Sequence, residues 1–231
     1  MDVDAAVIGN HEFDFGIERL EEIIKQMKTP NGKAEWVMSN IHKKDSSSTL
    51  AEMPEYYIIE KGPFRIGVLG IAEQDWFAKI DDPDEELYLS DQIETSKKLV
   101  KMLREEKGCN LIVALTHAWI INDQALAKGV PGIDLILGGH DHDPYLENTK
   151  SEGYPKKDVP LIKSGYDFHG LAVIDIALGI DTEAYEKTKT DADGSGKVFM
   201  YSEDDKMMLE IDLVDVDSKN FEPHQETAEA T

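Results

Sequence analysis

The chain has 231 residues and a mass of 25.9 kDa, enough for one full-sized core. Its 24 Lys and Arg stand against 47 Asp and Glu, a net charge of −23, which excludes a generic nucleic-acid or anionic-membrane binder because both need clustered cations. The single Cys109 excludes an intrachain disulfide framework and a Cys-rich zinc module, leaving His, Asn and carboxylates as metal ligands.

An anionic substrate would need a local cation in so acidic a protein. No run approaches the roughly 20 apolar residues that cross a bilayer, and the opening MDVDAAVIGN has neither a basic region nor an adequate apolar stretch for a signal peptide. The compartment is left open. A strand-like run almost at Met1 leads to the expectation that the domain begins upstream.

In chain order, residues 5–8 read as a strand. Ile17, Leu20, Ile23, Ile24 and Met27 then recur at helical spacing, predicting an amphipathic helix over 16–28 that Pro30 and Gly32 end. Residues 43–49 read as a polar, Ser-rich loop. The stretch 56–71 reads as two strands around Lys61-Gly62-Pro63. A second helix starts at a Ser90 or Asp91 cap, buries Ile93, Leu99, Val100 and Leu103, and stops at Gly108.

Residues 111–115 form a continuous apolar run, followed by a short helix after Asn122 that ends near Gly129. Runs at 133–137 and 159–162 follow, and further strands are expected at 171–178 and 207–216. Apolar runs without alternation predict strands buried on both faces, and helices between them predict an α/β sandwich. From 181 to the end there are 15 acidic and 5 basic residues, read as a solvated acidic surface. The organisation expected is one domain over 1–223 with an acidic insertion near 181–206, then a polar tail over 224–231.

Four of these runs end in chemistry-bearing residues: Gly9-Asn10-His11, Thr116-His117, Gly138-Gly139-His140 and Lys163-Ser164-Gly165. In α/β sheets the carboxyl edge of the strands is where ligands bind. Asn10, His11, His117, His140 and His142 gather there. In an extended His140-Asp141-His142 both imidazoles would face one side and Asp141 the other, so they could reach one metal or two adjacent ones. A surface loop is the plainer reading of His-x-His alone. Asn10 offers a hard carbonyl ligand, which frees His11 to act as a general acid oriented by Asp14. Asp14 as a helix cap is the structural alternative.

GNHEFDFG, LTH with Asp123 six residues on, PGIDLILGGHDH and LIKSG closely resemble, in order and spacing, the motifs of calcineurin-like metallophosphoesterases. The nearest resemblance is to the 5′-nucleotidase and 2′,3′-cyclic phosphodiesterase branch, from about residue 4 to 178 and on to 221–223. It implies a four-layer α/β/β/α sandwich with two mixed sheets, here expected without its first strand units. It implies a phosphate-ester substrate, a nucleotide in that branch, and two divalent ions, with Zn, Mn, Fe and Mg all open. Asn10, His117 and His140 would hold one ion and His142 the other. His11 would be the catalytic histidine, oriented by Asp14.

The family's Asp-x-His and Gly-Asp motifs, which normally precede GNHE, are not in this chain, so the bridging Asp is missing. The expectation is an N-terminally truncated enzyme that alone is inactive or very slow. An incompetent metal-binding fragment or pseudoenzyme is the alternative. A rival of another class is the run Asp191 to Val198, which matches the first eight positions of an EF-hand calcium loop, with Ser202 at position twelve in place of Glu. His42 and His224 read as solvent-exposed, His169 as a residue that could approach substrate, and Cys109 as inert core. Ser39 and Ser164 lack a His partner, which argues against covalent serine catalysis.

Overall fold

The computed structural model describes residues 3–27, 35–46, 48–80, 87–150, 158–178, 198–202 and 207–215. In chain order the elements are β1 (Ala5–Ala6), α1 (Ile17–Met27), β2 (Glu35–Trp36), β3 (Ile41–Lys43), β4 (Tyr56–Lys61), β5 (Phe64–Ala72), α2 (Gln74–Phe77) and β6 (Leu87–Leu89). They continue with α3 (Gln92–Glu105), β7 (Leu111–His117), α4 (Ile120–Gly129), β8 (Leu135–Gly139), β9 (Pro144–Lys150), β10 (Asp158–Ser164), β11 (Gly170–Leu178), β12 (Val198–Ser202) and β13 (Met207–Asp215).

The continuous apolar runs form a mixed six-stranded sheet, ordered β4-β5-β7-β8-β10-β9. Its four central strands are parallel and its two outer pairs antiparallel. Both faces are covered, which is why the runs do not alternate. On one face Ile112, Ala114, Ile136 and Leu161 pack against Leu99, Val100 and Leu103 of α3 and Leu126 and Ala127 of α4. On the other, Leu111, Val113, Leu135 and Ile162 meet Met207, Leu209 and Ile211 of an antiparallel sheet ordered β11-β13-β12. Each such side chain, fully buried, contributes about 1.5–3 kcal/mol. A third core gathers Ile8, Phe13, Leu20 and Ile24 of α1, Met38, Ile41, Trp76 and Phe77.

The layered α/β form matches the expectation, with the second described sheet antiparallel. Asp91 caps α3 as read, its carboxylate accepting from Ile93 N and Glu94 N at 2.9 Å each. Some boundaries moved. α4 begins at Ile120, ahead of Asn122, because the backbone N–H of Ile120 is met by Asp141 Oδ1 at 3.0 Å. β8 runs over Leu135–Gly139, two residues later than the apolar run, because Asp134 is pinned elsewhere. Arg104 and Ile112 N both contact its Oδ2, and Arg104 Nη2 also donates to Gly132 O at 3.0 Å.

His42 is not exposed. It is 8 % exposed, stacked on Tyr88 and in contact with Ser90 Oγ at 3.3 Å, because β3 pairs with β6 and carries its ring inward. The apparent polarity of its neighbourhood hid that pairing. Cys109 is buried, as read. Residues 198–202 form β12, paired antiparallel with β13, so no helix leaves the run that resembles a calcium loop. Residues 191–197, most of the acidic insertion, His224 and the 224–231 tail lie outside the described residues.

Gly70 is required where residues 37–40 cross β5. A Cβ there would lie 2.0 Å from Val37 O, while Ser39 N donates to Gly70 O at 2.7 Å. Gly70→Ala is expected to cost about 3 kcal/mol, the upper end of overpacking penalties, or more. A urea midpoint equal to wild type would contradict this contact. Burial holds the His42 pKa below its ordinary value, against an opposing pull from Glu55. The unfolded chain therefore binds that proton more readily, and the stability present above the ordinary His pKa is lost as pH falls below it. His42→Gln should lose less thermal stability than wild type between neutral and mildly acidic pH. Equal losses would assign the pH dependence to other groups.

Candidate metal centre

The parallel register of β7 with β8 sets His117 opposite Gly139, so the next residue, His140, leaves the sheet beside His117. The loop after β1 reaches the same edge. A Cβ on Gly9 would lie 2.6 Å from His117 Nε2, so only glycine lets this backbone press against the imidazole. Glu12 Oε2 accepts from Gly9 N at 2.7 Å and closes the loop.

Asn10, His117 and His140 are thereby brought together. His117 Nε2 is 2.8 Å from Asn10 Oδ1 and 3.2 Å from His140 Nδ1. Two ligands of one ion at about 2.1 Å lie about 3 Å apart when they subtend a right angle. Two neutral imidazoles and an amide oxygen are also a donor set that divalent ions accept. Burial lowers the His117 pKa to about 4, helped by His140 and Lys163. Its ring is therefore neutral at physiological pH, with a lone pair to offer. Burial lowers the His140 pKa too, while Glu73 and Asp141 pull it the other way.

His142 is placed differently. His140 and His142 have φ of 84° and 66°, so this segment coils, and strand alternation does not put both rings on one side. Left-handed backbone at two non-glycine residues costs free energy and tends to mark functional sites. The His142 ring is exposed and stacks on Tyr166 with centroids 5.5 Å apart, and Tyr166 packs on His169 at 5.1 Å. Asp141 meets Lys163 Nζ. Among the described residues no three His, Cys, Asp or Glu side chains converge, and at His117 and His140 the third candidate ligand is Asn10.

His11 stands at the rim, 73 % exposed, with Nδ1 3.0 Å from Asp14 Oδ2. The dyad is held by a 3-10 turn over His11–Phe13. Asp14 lies outside the first turn of α1, which starts at Ile17, and its carboxylate meets His11. Beside the dyad is a cleft of about 390 Å³ lined by Asn10, Phe13, Asp14, Trp76, Lys79, Ile80, Trp119 and His140. Lys79 brings a cationic side chain to its wall.

Sequence reasoning missed the supports. Glu73, 1 % exposed, accepts from Trp119 N at 2.8 Å and Asn122 Nδ2 at 2.5 Å through Oε2, and its Oε1 faces His140 Nε2 at 3.6 Å. β5 is parallel to β7 and ends with Ala72 opposite His117, so Glu73 was legible as one more residue at a strand's carboxyl end. Lys163 was visible as the cation that ends an apolar run. Trp76 Nε1 donates to His117 O at 2.6 Å, and the Trp119 ring sits 4.4 Å from His140. Nothing in their spacing announced either.

The sequence model described as calcineurin-like phosphoesterase matches residues 2–144. The chain is 32 % identical over 140 residues to an apyrase of Tabanus yao, covering 60 % of this chain and 24 % of that protein. It is 29 % identical over 175 residues to the 5′-nucleotidase of Homo sapiens, covering 74 % of this chain and 29 % of that one. The chain thus spans about a quarter of the length of these curated relatives. The solved structure of the calcineurin-like phosphoesterase YfkN from Bacillus subtilis superposes with a TM-score of 0.68 at 21 % identity, over 98 % of this chain and 67 % of that one, a likeness of fold. With the family's model spanning most of the chain and 5′-nucleotidases among its relatives, the protein belongs to the calcineurin-like phosphoesterase family.

Proposed function

We propose that this chain carries the metal-binding half-site of a phosphoesterase acting on nucleotide-like phosphate esters, with residues 1–223 as part of one metallophosphoesterase domain. The observation that carries the reading is that Asn10 Oδ1 and His140 Nδ1 lie 2.8 Å and 3.2 Å from His117 Nε2, at the carboxyl edge of a buried parallel sheet. The family generally uses divalent ions. In this reading Asn10, His117 and His140 hold one ion and His142 contributes to a second. Ions bound there supply Lewis-acid stabilisation of charge on a phosphoryl group.

The remaining chemistry belongs to the chain. His11, whose partner Asp14 lines the cleft, gives a proton to the departing ester oxygen. Asp14 fixes the Nδ1–H tautomer by accepting that hydrogen and leaves Nε2 to face the substrate. Lys79 at the cleft wall attracts the anionic ester. Trp119 and Phe13 give the cleft apolar surface against which a planar base can rest. The names of the relatives, apyrase and 5′-nucleotidase, favour a nucleotide among phosphate esters.

A catalytically incompetent metal-binding protein is the second reading, favoured by the small number of ligands that gather among the described residues. Mn-dependent hydrolysis of AMP and of a generic phosphodiester separates the two. The enzyme reading expects His117→Ala and His140→Ala to lose both metal binding and turnover. It expects His11→Ala to keep the metal while kcat falls about 10²- to 10⁴-fold, the usual worth of a general acid. Turnover in the folded wild-type chain would exclude the binding protein, whereas metal binding without turnover fits both it and a half-site that is inactive alone. Turnover that survives His11→Ala would remove His11 from the mechanism.

A further inference from the structure

Beneath the imidazole pair lies a lysine that the chemistry above does not use. Lys163, on β10, is 2 % exposed, and its ammonium lies among groups from three other segments. Nζ donates to Ala118 O at 2.6 Å, to Gly139 O at 2.7 Å and to Asp141 Oδ2. Asp123 Oδ2 on α4 is 2.7 Å away. The three N–H groups of an ammonium are thus all spent on backbone and carboxylate acceptors.

The two carbonyls decide what this arrangement does. Ala118 follows His117, and Gly139 precedes His140. One ammonium therefore ties together the two backbone segments from which the imidazoles spring. Asp141 extends the tie, since its other oxygen accepts from Ile120 N at 3.0 Å and fixes the start of α4. Gly138 makes room for it: a Cβ there would lie 2.9 Å from both Lys163 Cε and Asp123 Oδ2. Burying a cation is costly unless it is paired, so four acceptors are needed to keep it there. Leucine or methionine would fill the same apolar volume more cheaply if packing were the only requirement. The left-handed His140 adds a strained position that such bonds can hold in place.

We infer that Lys163 is a positioning residue for the metal centre, which fixes the separation of His117 and His140 by clamping the carbonyls of Ala118 and Gly139. The inference rests on the reading of His117 and His140 as ligands of one ion. Supporting groups behind metal-bound histidines change metal affinity about ten- to a hundredfold when removed.

The test is Co²⁺ titration calorimetry on the full chain, with thermal unfolding in a chelator recorded alongside. Lys163→Met keeps the stem and removes the charge, and Lys163→Met with Asp123→Asn also removes one stranded carboxylate in case the single variant does not fold. Arg104→Met is the control. It breaks another, partly buried ion pair, with Asp134 at the opposite end of β8, and lowers stability by a different route. The clamp predicts Co²⁺ affinity about ten- to a hundredfold weaker in the folded Lys163 variants and within about twofold of wild type in Arg104→Met. Unchanged or tighter binding in the Lys163 variants, or an equal loss in Arg104→Met, overturns the positioning role. His117→Ala separates the two ideas. If it abolishes binding while Lys163→Met does not, only the clamp fails, and a wild-type chain that binds no Co²⁺ overturns both.

Discussion

The parallel register of β7 against β8 is the constraint on which the rest of the site depends. It sets His117 opposite Gly139, and β5 on the other side sets Ala72 opposite His117. Three consecutive strand ends therefore deliver Glu73, His117 and His140 to one edge. A register shift of one residue would turn each of these side chains to the opposite face of the sheet. The apolar packing on both faces prevents such a shift, since Ile112 and Ala114 must meet the helices while Leu111 and Val113 meet the second sheet. Core packing and site geometry are thus one problem with one solution.

Charge adds a second constraint. In a protein of net charge −23, the proposed anionic ester would need a site shielded from the surrounding carboxylates. Near the imidazoles the described residues place buried and paired charges. Lys163 is surrounded by acceptors, and Asp123 is pushed up to about 6 by burial, which the lysine partly offsets. The imidazoles above are kept neutral by desolvation. The cleft beside them receives Lys79 and aromatic walls. A divalent ion bound at neutral imidazoles would add positive charge where the chain itself carries little.

Much of this was legible in the sequence. Buried strands, the Asp91 cap and the gathering of Asn10, His11, His117 and His140 at one edge followed from apolar runs that stop abruptly at polar residues. What was not legible depended on pairing across the chain. His42 is buried because β3 meets β6, a contact between segments with no shared pattern. The coil at His140 and His142 broke the strand alternation expected of His-x-His, since left-handed residues other than glycine leave no mark in composition. Lys163 looked like an edge residue of its run, whereas its neighbours come from residues 118, 123, 139 and 141.

The central claim is that Asn10, His117 and His140 surround one divalent ion. X-ray absorption spectroscopy of the Zn-loaded chain tests it directly, because imidazole ligands leave a distinct outer-shell scattering pattern. The account predicts two imidazoles at about 2.0–2.1 Å with oxygen completing the shell, and loss of that imidazole shell in His117→Ala, which no longer holds the ion. A shell of oxygen ligands alone, unchanged in His117→Ala, would contradict it.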